Sequence, residues 1–524
     1  MAGTAATLFL LLTCFGHAKP ARAADELRLS LRDALHFALR QNPNTLLQQQ
    51  EVLSSRGLLL QARSQFDPVV SATTERIRAV RPLRQDEITA LQLAGNSGVV
   101  DQTTDSTTYG VGIDRLLKNG LALGTSYTVT KLDDSDQRLA GIPVQSSGRL
   151  SFTLQVPLLR NAGVETVSAQ VAAADAELAA SMLDLQYINS ATVFNTTVAY
   201  WDSIAKRNRL DIALAAEKRA AELVDEMRKL IAADQLPAAE IELVVASRAE
   251  RTAARISAEQ ALLDARHTLA RQLGLSRTQM ATLPVPDDPL PNYDGQRIDV
   301  VDDRERLISV AIATRADIEA DRKRELAGKY RLTAARNNLK PQLDFNFHLS
   351  YSSLAEGESA SAFDRANFNV RAGPAFSGSL NYQWPVNNSL ARGNFLSQSA
   401  AGDASTIRLR DREASIASSI SALASTMKRS AEQLVEGREA VNRYAVAHQN
   451  QLIRRRLGFA TLLDVINVED RLNNALLNAV QLQQNYANAI VELRFALGDL
   501  VQKLGDRYDV RMEKLLAPEF SPRN

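Results

Sequence analysis

The chain has 524 residues, of which 45% are hydrophobic but only 5% aromatic, so its apolar content comes mainly from aliphatic side chains. This composition favours thin layers of helices over a thick globular core. The 61 Lys and Arg residues balance the 60 Asp and Glu residues. No positive excess is therefore available to attract phosphates, which argues against a nucleic-acid partner.

The N-terminus predicts export. An apolar run over Ala5–Phe15 precedes Ala21-Arg22-Ala23, a small-x-small pattern that signal peptidase cleaves, and this predicts a signal peptide over residues 1–23. The run is too short to cross a hydrocarbon core about 30 Å thick. The single cysteine, Cys14, lies inside this segment. The sequence leaves open whether Cys14 is lipidated and where exactly cleavage occurs.

The remainder of the chain contains an internal duplication. Residues 34–68 match residues 307–341 at an offset of 273, and both predict a long helix that ends at a proline. A second match, at an offset of 224, relates Leu273-Gly274 to Leu497-Gly498. Two matches in the same order favour duplication over chance likeness between Ala-rich helices. The predicted units are a first repeat over 24–281, a Pro-rich linker over 282–303, a second repeat over 304–505 and a C-terminal tail over 506–524.

Each repeat predicts a long helical hairpin. Between Gly163 and Gly274 there is no glycine and one proline, so this stretch predicts two helices joined by a turn over Asp234–Pro237. At 1.5 Å per residue the first helix would be about 105 Å long. The second repeat predicts the same coiled-coil-like hairpin over 404–500, with its turn at Gly458–Thr461.

The helices of each repeat are separated by stretches in which apolar and polar residues alternate, the pattern of strands with one apolar face. It occurs over residues 108–116, 121–130, 150–156, 343–351 and 376–384. Alternation alone does not distinguish a lipid-facing sheet from one on a soluble core, but export and strands of about ten residues favour the membrane. Tyr382 and Trp384 stand at a strand end, where membrane-interface aromatics occur. The polar stretches Arg81–Ser106 and Asp133–Ser147 are expected to be external loops.

Together, these features resemble the TolC-type outer-membrane efflux proteins, also called outer membrane factors, across nearly the whole mature chain. The order of several short segments carries the resemblance. They are Ala34-Leu35, Ala38-Leu39 and Asn42-Pro43 in the opening helix, the strand exits Gln155–Leu159 and Gln383-Trp384-Pro385, and Gly458–Val465 in the second hairpin. The resemblance implies a mainly α fold with β: the duplicated hairpins of a homotrimer form an α-barrel, and the strands contribute to a shared transmembrane β-barrel.

The function that the resemblance implies is that of an exit duct rather than an enzyme. Such a duct lies in the lipid of a Gram-negative outer membrane, projects into the periplasm, and serves a tripartite efflux pump or a type I secretion system. Its partners would be an inner-membrane pump and a periplasmic adaptor (membrane fusion) protein. The adaptor would contact the hairpin tips, here Gln235, Leu236 and Pro237 in the first repeat and Gly458, Phe459, Ala460 and Thr461 in the second. The exported substrate and the identity of pump and adaptor are left open.

The resemblance also implies an aperture near the tips. In the family two carboxylates three residues apart line it, and they align with Asp464 and Asn467, so only the first is retained. One carboxylate from each of three copies still favours cations in a narrow constriction. Glu240 takes the matching position in the first repeat, whereas a family arginine that links the tips aligns with Ala460. The alternative role for Asp464 is an acid at a helix N-terminus.

Strand number departs from the family pattern. The family implies four strands per chain, but Thr108–Leu116 and Leu121–Thr130, joined by Lys118-Asn119-Gly120, predict an additional hairpin and therefore six. Either the barrel is larger than usual or this hairpin lies outside it.

No catalytic, cofactor or metal site is predicted. The sequence contains no P-loop, no dinucleotide-binding glycine pattern, no HExxH and no nucleophile elbow. The alternative to a duct is a periplasmic coiled-coil scaffold or adaptor without channel activity. An adaptor would carry a compact β-domain between its hairpin helices, whereas both hairpin turns here are only a few residues long.

Overall fold

The computed structural model describes residues 28–235, 237, 241–280, 283–293, 295, 303–357, 372–505 and 507–516. The predicted signal peptide lies outside these residues, as do Leu236 at the first tip and Glu240 at the predicted aperture. Residues 507–516 of the predicted C-terminal tail are described.

Two helices, not one, open the chain after the short strand β1 (Arg28–Leu29): α1 (Leu31–Gln41) and α2 (Pro43–Arg63). The prediction of one long helix is wrong at Asn42, which is extended at φ −60° and ψ 127°. The cause is Pro43, because a proline disfavours the helical conformation of the residue before it. The Asn42 side chain then caps α2 by accepting a hydrogen bond from the Asn44 N–H at 2.9 Å.

The second half repeats this break without a proline. Helix α9 (Arg304–Thr314) and helix α10 (Ala316–Asn337) meet at Arg315, which is extended at φ −69° and ψ 125° and lies 273 positions after Asn42. The Asn42 side chain donates to the Gln272 carbonyl oxygen at 2.7 Å. The Arg315 guanidinium donates to the Ala496 carbonyl oxygen at 3.1 Å, so both breaks are tied to the end of a long helix.

Glycine is required where those long helices end. Gly274 has a φ of +71°, and a Cβ there would lie 2.2 Å from the Gln41 carbonyl oxygen. Gly498 has a φ of +74°, and a Cβ there would lie 3.2 Å from the Arg315 Cα. The segments that match at an offset of 273 therefore contact the segments that match at an offset of 224, at an equivalent joint in each half. At this joint, the reversal of the chain and the close approach of two backbones both favour glycine.

The long hairpins consist of α6 (Ala169–Ala232) with α7 (Ile241–Gln272), and α11 (Ser389–Arg456) with α12 (Leu462–Ala496). The 64 residues of α6 span about 96 Å. The first hairpin was expected to begin as one helix at Val164, but a break at Ser168 separates α5 (Val164–Val167) from α6. Helix α11 begins at Ser389, earlier than expected, because the helix tolerates Gly393 and Gly402 in its interior at a modest cost.

Among the described residues, two large apolar clusters hold the helices together, and two smaller ones lie along α6. The first lies midway along α6, where Tyr200 and Trp201 are fully buried against α1, the linker and the C-terminal elements. The Tyr200 hydroxyl donates to the Leu29 carbonyl oxygen at 2.7 Å, and this bond fixes β1 on the helix. The second cluster joins α11 and α12 through residues such as Ile420 and Ile490, which are almost fully buried. Across the described helices, no stretch is long and apolar enough to cross a lipid bilayer.

One antiparallel sheet contains the six long strands in the order β2-β3-β4-β5-β7-β8. Their bounds are Val69–Pro82, Asp101–Leu116, Ala122–Asp134, Gln145–Pro157, Gln342–Glu356 and Ala372–Gln383. The additional hairpin, β3 and β4, lies inside the sheet between β2 and β5. Strand β2 was not predicted, because its sequence does not alternate cleanly.

The stretches expected to be external loops are partly strand. Strand β2 runs into the first of them as far as Pro82, and β3 already begins at Asp101. Strand β4 reaches Asp134. Polar cross-strand contacts continue the sheet there without apolar alternation; for example, the Thr104 hydroxyl donates to the Asp134 carboxylate at 2.7 Å. Short helices, α3 (Gln85–Leu93) and α4 (Ser135–Leu139), cover the remaining connections.

The smaller elements lie around the first apolar cluster. Strand β1 pairs in parallel with β6 (Val285–Pro286) of the linker, and α8 (Arg277–Met280) follows α7. Strands β9 (Val501–Leu504) and β10 (Arg507–Val510) form a hairpin across the predicted boundary between the second repeat and the tail, followed by α13 (Met512–Leu516).

Candidate functional site

The six-stranded sheet carries its apolar residues on one face and its polar residues on the other. A typical row of register partners on the first face is Ile113, Thr125, Phe152, Leu349 and Phe376. The neighbouring row on the second face is Gly112, Ser126, Ser151, Ser350 and Ala375. The register thus aligns the alternation of separate strands into two surfaces of opposite character.

Exposure of these two surfaces is the reverse of that in a water-soluble sheet. Phe376 is 80% exposed and Leu380 is 65% exposed, whereas Ser151 and Ser350 are 8% and 5% exposed. A sheet that folds in water buries its apolar face against a core and leaves its polar face in solvent. Here large apolar side chains are bare while polar side chains such as Ser151 and Ser350 are covered, so the apolar surface requires a non-aqueous environment.

The height of the apolar surface can be read along β7. Leu343, Phe345, Phe347, Leu349 and Tyr351 follow each other on the same face, and the first and last are eight residues apart. These nine residues correspond to roughly 26 Å of strand at about 3.3 Å per residue. A strand tilted across a bilayer needs about 9–11 residues, so the apolar stretch has the length of a membrane-spanning strand.

The predicted interface aromatics lie at the helix-proximal end of this surface. Tyr382 on β8 pairs with Leu343, and Trp384 follows the last residue of β8. Their exposed fractions are 60% and 58%. Aromatic residues with one polar edge suit the boundary between lipid and water.

The tip of the second hairpin is an exposed turn. Gly458 takes a φ of +80°, and Phe459 donates its N–H to the Arg454 carbonyl oxygen at 2.8 Å, which closes the end of α11. Phe459 is 74% exposed, and Ala460 and Thr461 follow it into α12. At the first tip Asp234 has a φ of +51°, and Gln235 and Pro237 are exposed.

Asp464 belongs to the cap of α12. Its N–H donates to the Thr461 hydroxyl at 3.2 Å, and its carboxylate accepts from the Thr461 N–H at 2.9 Å and the Thr461 hydroxyl at 2.6 Å. These hydrogen bonds, helped by the charge of Arg454, lower the pKa of Asp464 below its ordinary value. The capping box could have been found in the sequence, because Thr461-Leu-Leu-Asp464 has the required spacing. Asn467 lies one turn further on and is exposed.

Comparison with known proteins found similarity in structure but not in sequence. No protein-family model matches the chain, and no curated protein sequence matches it. The chain is similar to the CmeC outer membrane channel of Campylobacter jejuni, at 13% identity and a TM-score of 0.65 over 90% of this chain and 85% of that one. The outer membrane protein VceC of Vibrio cholerae is 16% identical with a TM-score of 0.64, over 89% and 96% of the two chains. The open-state MtrE outer membrane channel of Neisseria gonorrhoeae is 14% identical with a TM-score of 0.61, over 89% and 88%.

The chain has the fold of the outer-membrane channels. The resemblance drawn from the sequence is thereby confirmed at the level of the fold. Within this outer-membrane-channel fold, the predicted aromatics and hairpin tips lie at opposite ends of the long helices, because the sheet joins α11 through β8 and the tips lie at the other end of α11. The structure therefore separates Tyr382 and Trp384 from Gly458–Thr461 by the length of a 68-residue helix.

The seam between the two hairpins carries residues that sequence reasoning missed. Arg219 on α6 reaches across to α12, where its guanidinium lies 2.7 Å from the Glu469 carboxylate and 2.7 Å from the Asn473 side-chain oxygen. Two further ion pairs cross between the hairpins near the tips: Arg251 with Asp470, and Arg455 with Glu226. The partners are more than 200 residues apart in sequence, so no local pattern indicates the pairing.

Further from the tips the same seam continues as hydrogen bonds. The Gln484 side chain donates to Asp202 at 2.9 Å, and Arg209 donates to Gln481 at 2.5 Å. Inside the first hairpin, by contrast, the apolar residues Val224, Met227 and Val244 are buried between α6 and α7. In this outer-membrane-channel fold, ion pairs and hydrogen bonds join the two hairpins near the tips, and further from the tips apolar contacts join them as well, among them the stacked rings of Phe194 and Phe495 at 5.0 Å.

Among the described residues, no group of three or more His, Cys, Asp or Glu side chains is arranged to hold a metal ion. The arrangement offers a surface for lipid, two exposed tips and a polar seam.

Proposed function

We propose that this chain is an outer-membrane exit duct, a passive conduit through which a tripartite efflux pump or a type I secretion system releases its cargo. The observation that carries the proposal is the apolar face of the sheet, which leaves large side chains such as Phe376 and Leu380 bare. Such a sheet is stable with lipid on one side and water on the other. The fold shared with outer-membrane channels supports the same conclusion.

Closure of the sheet requires further copies of the chain. Strands β2 and β8 are the two edges of the sheet, and open edges cannot face lipid, because their backbone groups would lack hydrogen-bond partners. In the proposed homotrimer, β8 of one copy pairs with β2 of the next. Each copy contributes six strands, so the barrel is half again as large as one built from four per copy.

The helices support assembly at the same interface. Helix α10 packs between α6 and α11, whereas its counterpart α2 packs mainly on α6 within the described residues. The uncovered side of α2 exposes five leucines: Leu46, Leu47, Leu53, Leu58 and Leu60. Helix α11 exposes Leu396 and Ile407. By analogy with α10, α2 of one copy would be covered by α11 of the next, and the hairpins would then close into an α-barrel.

The duct would be gated at its periplasmic tips. Near the tips the hairpins are joined mainly by ion pairs such as Arg219 with Glu469, so separation of the tips would expose mainly polar surface to water, while the apolar contacts further from the tips stay closed. The tips Gln235–Pro237 and Gly458–Thr461 are where a periplasmic adaptor, coupled to an inner-membrane pump, would act. In the proposed aperture Asp464 is the charged residue and Asn467 the neutral one, with Glu240 as the first-repeat counterpart.

The experiment that tests the duct is single-channel conductance of the detergent-extracted protein in a planar bilayer, with the oligomeric mass measured on the same sample. A trimer with discrete, cation-favouring conductance is expected. A protein that stays in water and forms no pore would overturn the duct and favour a periplasmic scaffold.

Gating is tested by removing two ion pairs that join the hairpins near the tips. The double variant Arg219→Ala and Arg251→Ala takes away two cations that bridge the hairpins, and we expect the open fraction to rise. Each partly exposed pair contributes about 1 kcal/mol, so a rise of about fivefold per pair is expected in bilayer recordings. The matched control is Arg443→Ala, which removes a 2.6 Å ion pair with Glu439 inside α11. Equal behaviour of the two variants would mean that the seam does not hold the duct closed.

A further inference from the structure

Two cations on the apolar face of the sheet have no ion-pair or hydrogen-bond partner within the described ranges. They are Arg76 on β2 and Lys131 on β4, and both are exposed. The register places them in one row, because Arg76 pairs with Thr107 of β3 and Thr107 pairs with Lys131. Neighbouring strands are about 4.8 Å apart, so the two backbones are separated by about 10 Å.

This row directly follows the aromatic end of the apolar surface. One row closer to the helices lies the register pair of Tyr109 and Val129, and Tyr109 is 50% exposed. Two rows closer lie Val111 and Tyr127, which are also register partners. The order along the strands is therefore apolar, then aromatic, then cationic, which is the order expected across a lipid interface.

The next row outward is charged but balanced. Arg78 lies 3.9 Å from Asp105, and Asp133 is paired with Arg138. Each of the two acids in this row therefore has a cation in reach that is neither Arg76 nor Lys131. Positive charge without a counterion is confined to the row of Arg76 and Lys131 within this part of the sheet.

Charged side chains that face hydrocarbon are costly unless an anion reaches them or they extend to the headgroup layer. Phosphate is the anion that a lipid surface supplies. A guanidinium binds phosphate oxygens through two parallel N–H donors, and an ammonium adds a compact charge. Two cations about 10 Å apart suit two phosphates of one headgroup better than a single small anion.

We propose that Arg76 and Lys131 form a binding site for the phosphate groups of an anionic outer-leaflet lipid. The proposal rests on the proposed function, because it requires this face of the sheet to lie in the membrane. The proposal adds a lipid ligand to the exit duct. The bound lipid would fix the rim of the sheet to the headgroup layer, next to the edge strand β2 at which copies of the chain would join.

The test uses the full chain reconstituted in phosphatidylcholine vesicles that contain a trace of fluorescent diphosphoryl lipid A, with binding measured by energy transfer from the protein. The variants are Arg76→Gln, Lys131→Gln and the double change. The matched control is Arg149→Gln, because Arg149 is also an exposed cation of the sheet but pairs with Thr128 on the polar face. Monophosphoryl lipid A serves as the ligand control.

We expect each single variant to bind diphosphoryl lipid A about fivefold more weakly and the double variant about 25-fold more weakly. Arg149→Gln should bind like the unmodified chain. Monophosphoryl lipid A should bind the unmodified chain more weakly than the diphosphoryl form. The charge-conserving variants Arg76→Lys and Lys131→Arg should retain binding, which guards against a loss that reflects misfolding.

Three results would overturn the site. They are unchanged binding in the double variant, an equal loss in Arg149→Gln, and a loss in the charge-conserving variants as large as in the Gln variants. In each case insertion and conductance of the unmodified chain would leave the exit duct intact. Failure of the unmodified chain to insert into any vesicle would instead overturn the duct itself, and the lipid site with it.

Discussion

The sheet and the helical hairpins of this chain obey opposite rules of burial. In the hairpins, Ile420 and Met427 are fully buried, while the adjoining Lys428 and Arg429 are exposed. In the sheet, Phe376 is bare and Ser350 is covered. Since one chain in one solvent cannot favour both, the contrast indicates that the two regions fold in different surroundings: the hairpins in water, the sheet in lipid.

The difference also separates two kinds of stability. The hairpins are held by apolar burial, which weakens when a side chain is shortened. The sheet is held by its backbone ladder and by the match between its bare face and the bilayer, which weakens when a charge is placed on that face. The hairpins can therefore be tested by shortening a buried side chain, and the sheet by placing a charge on its apolar face.

The largest effect is expected in the hairpin core. Ile420→Ala leaves a cavity in the fully buried cluster between α11 and α12, and we expect a loss of about 2–5 kcal/mol of unfolding free energy. The control on the same helix is Ile453→Ala, because Ile453 is 53% exposed and its loss should cost about 0.5 kcal/mol or less. Thermal unfolding followed by far-ultraviolet circular dichroism measures both. Similar losses at the two positions would contradict a water-facing hairpin with an apolar core.

A comparable but slightly smaller effect is expected in the sheet. Phe347 and His348 are neighbours on β7 whose side chains lie on opposite faces. Phe347→Arg places a charge on the apolar face and should cost about 2–4 kcal/mol in lipid, whereas His348→Arg on the polar face should cost about 1 kcal/mol or less. Urea titrations of the protein folded in vesicles measure the difference. If both variants behave alike, the sheet does not face lipid on one side only.

The sequence allowed much of this contrast to be predicted. The separation of 3.6-residue from two-residue periodicity located the hairpins and five of the six strands, since periodicity depends only on which side of an element is apolar. Strand β2 was not predicted, because Arg76 and Arg78 interrupt the side of the strand that belongs to the apolar face, and Ile77 lies on the opposite side. The break between α9 and α10 at Arg315 was not predicted, because no proline follows this residue. Its extended backbone is held by contacts with the end of α12, which are formed only in the folded chain.

Less of the candidate site than of the fold could be predicted from the sequence. The exposed tips follow from the turn residues, and the capping box could be recognised in Thr461 and Asp464. The seam pairs such as Arg219 with Glu469 join positions 250 residues apart, and neither residue differs in its local pattern from any other surface charge. Which charges meet is decided by how the hairpins lie side by side.

The smallest effect is expected at the tip of the second hairpin, where Asp464 has two proposed roles, as a helix cap and as a charge of the aperture. Thr461→Ala removes the hydroxyl that caps α12 and should cost about 1 kcal/mol of local helix stability while leaving the carboxylate in place. Asp464→Ala disrupts the same cap and also removes the charge. Planar-bilayer reversal potentials should therefore show reduced cation preference for Asp464→Ala but not for Thr461→Ala. If both variants lose preference equally, helix fraying rather than charge controls selectivity.

Acidification provides an independent check on the same carboxylate. Hydrogen bonds from Thr461 hold the pKa of Asp464 below its ordinary value of 3.8, so the charged form is favoured in the folded chain. The contribution of this group is thus fully present above that value and is lost only as the pH falls through the lower folded pKa. Cation preference should stay constant from neutral pH down to about 5, since a carboxyl whose pKa lies below 3.8 stays ionised over that range. A decline of selectivity near pH 6 in the unmodified chain would show that a different group, one that titrates closer to neutrality, sets the selectivity of the tips.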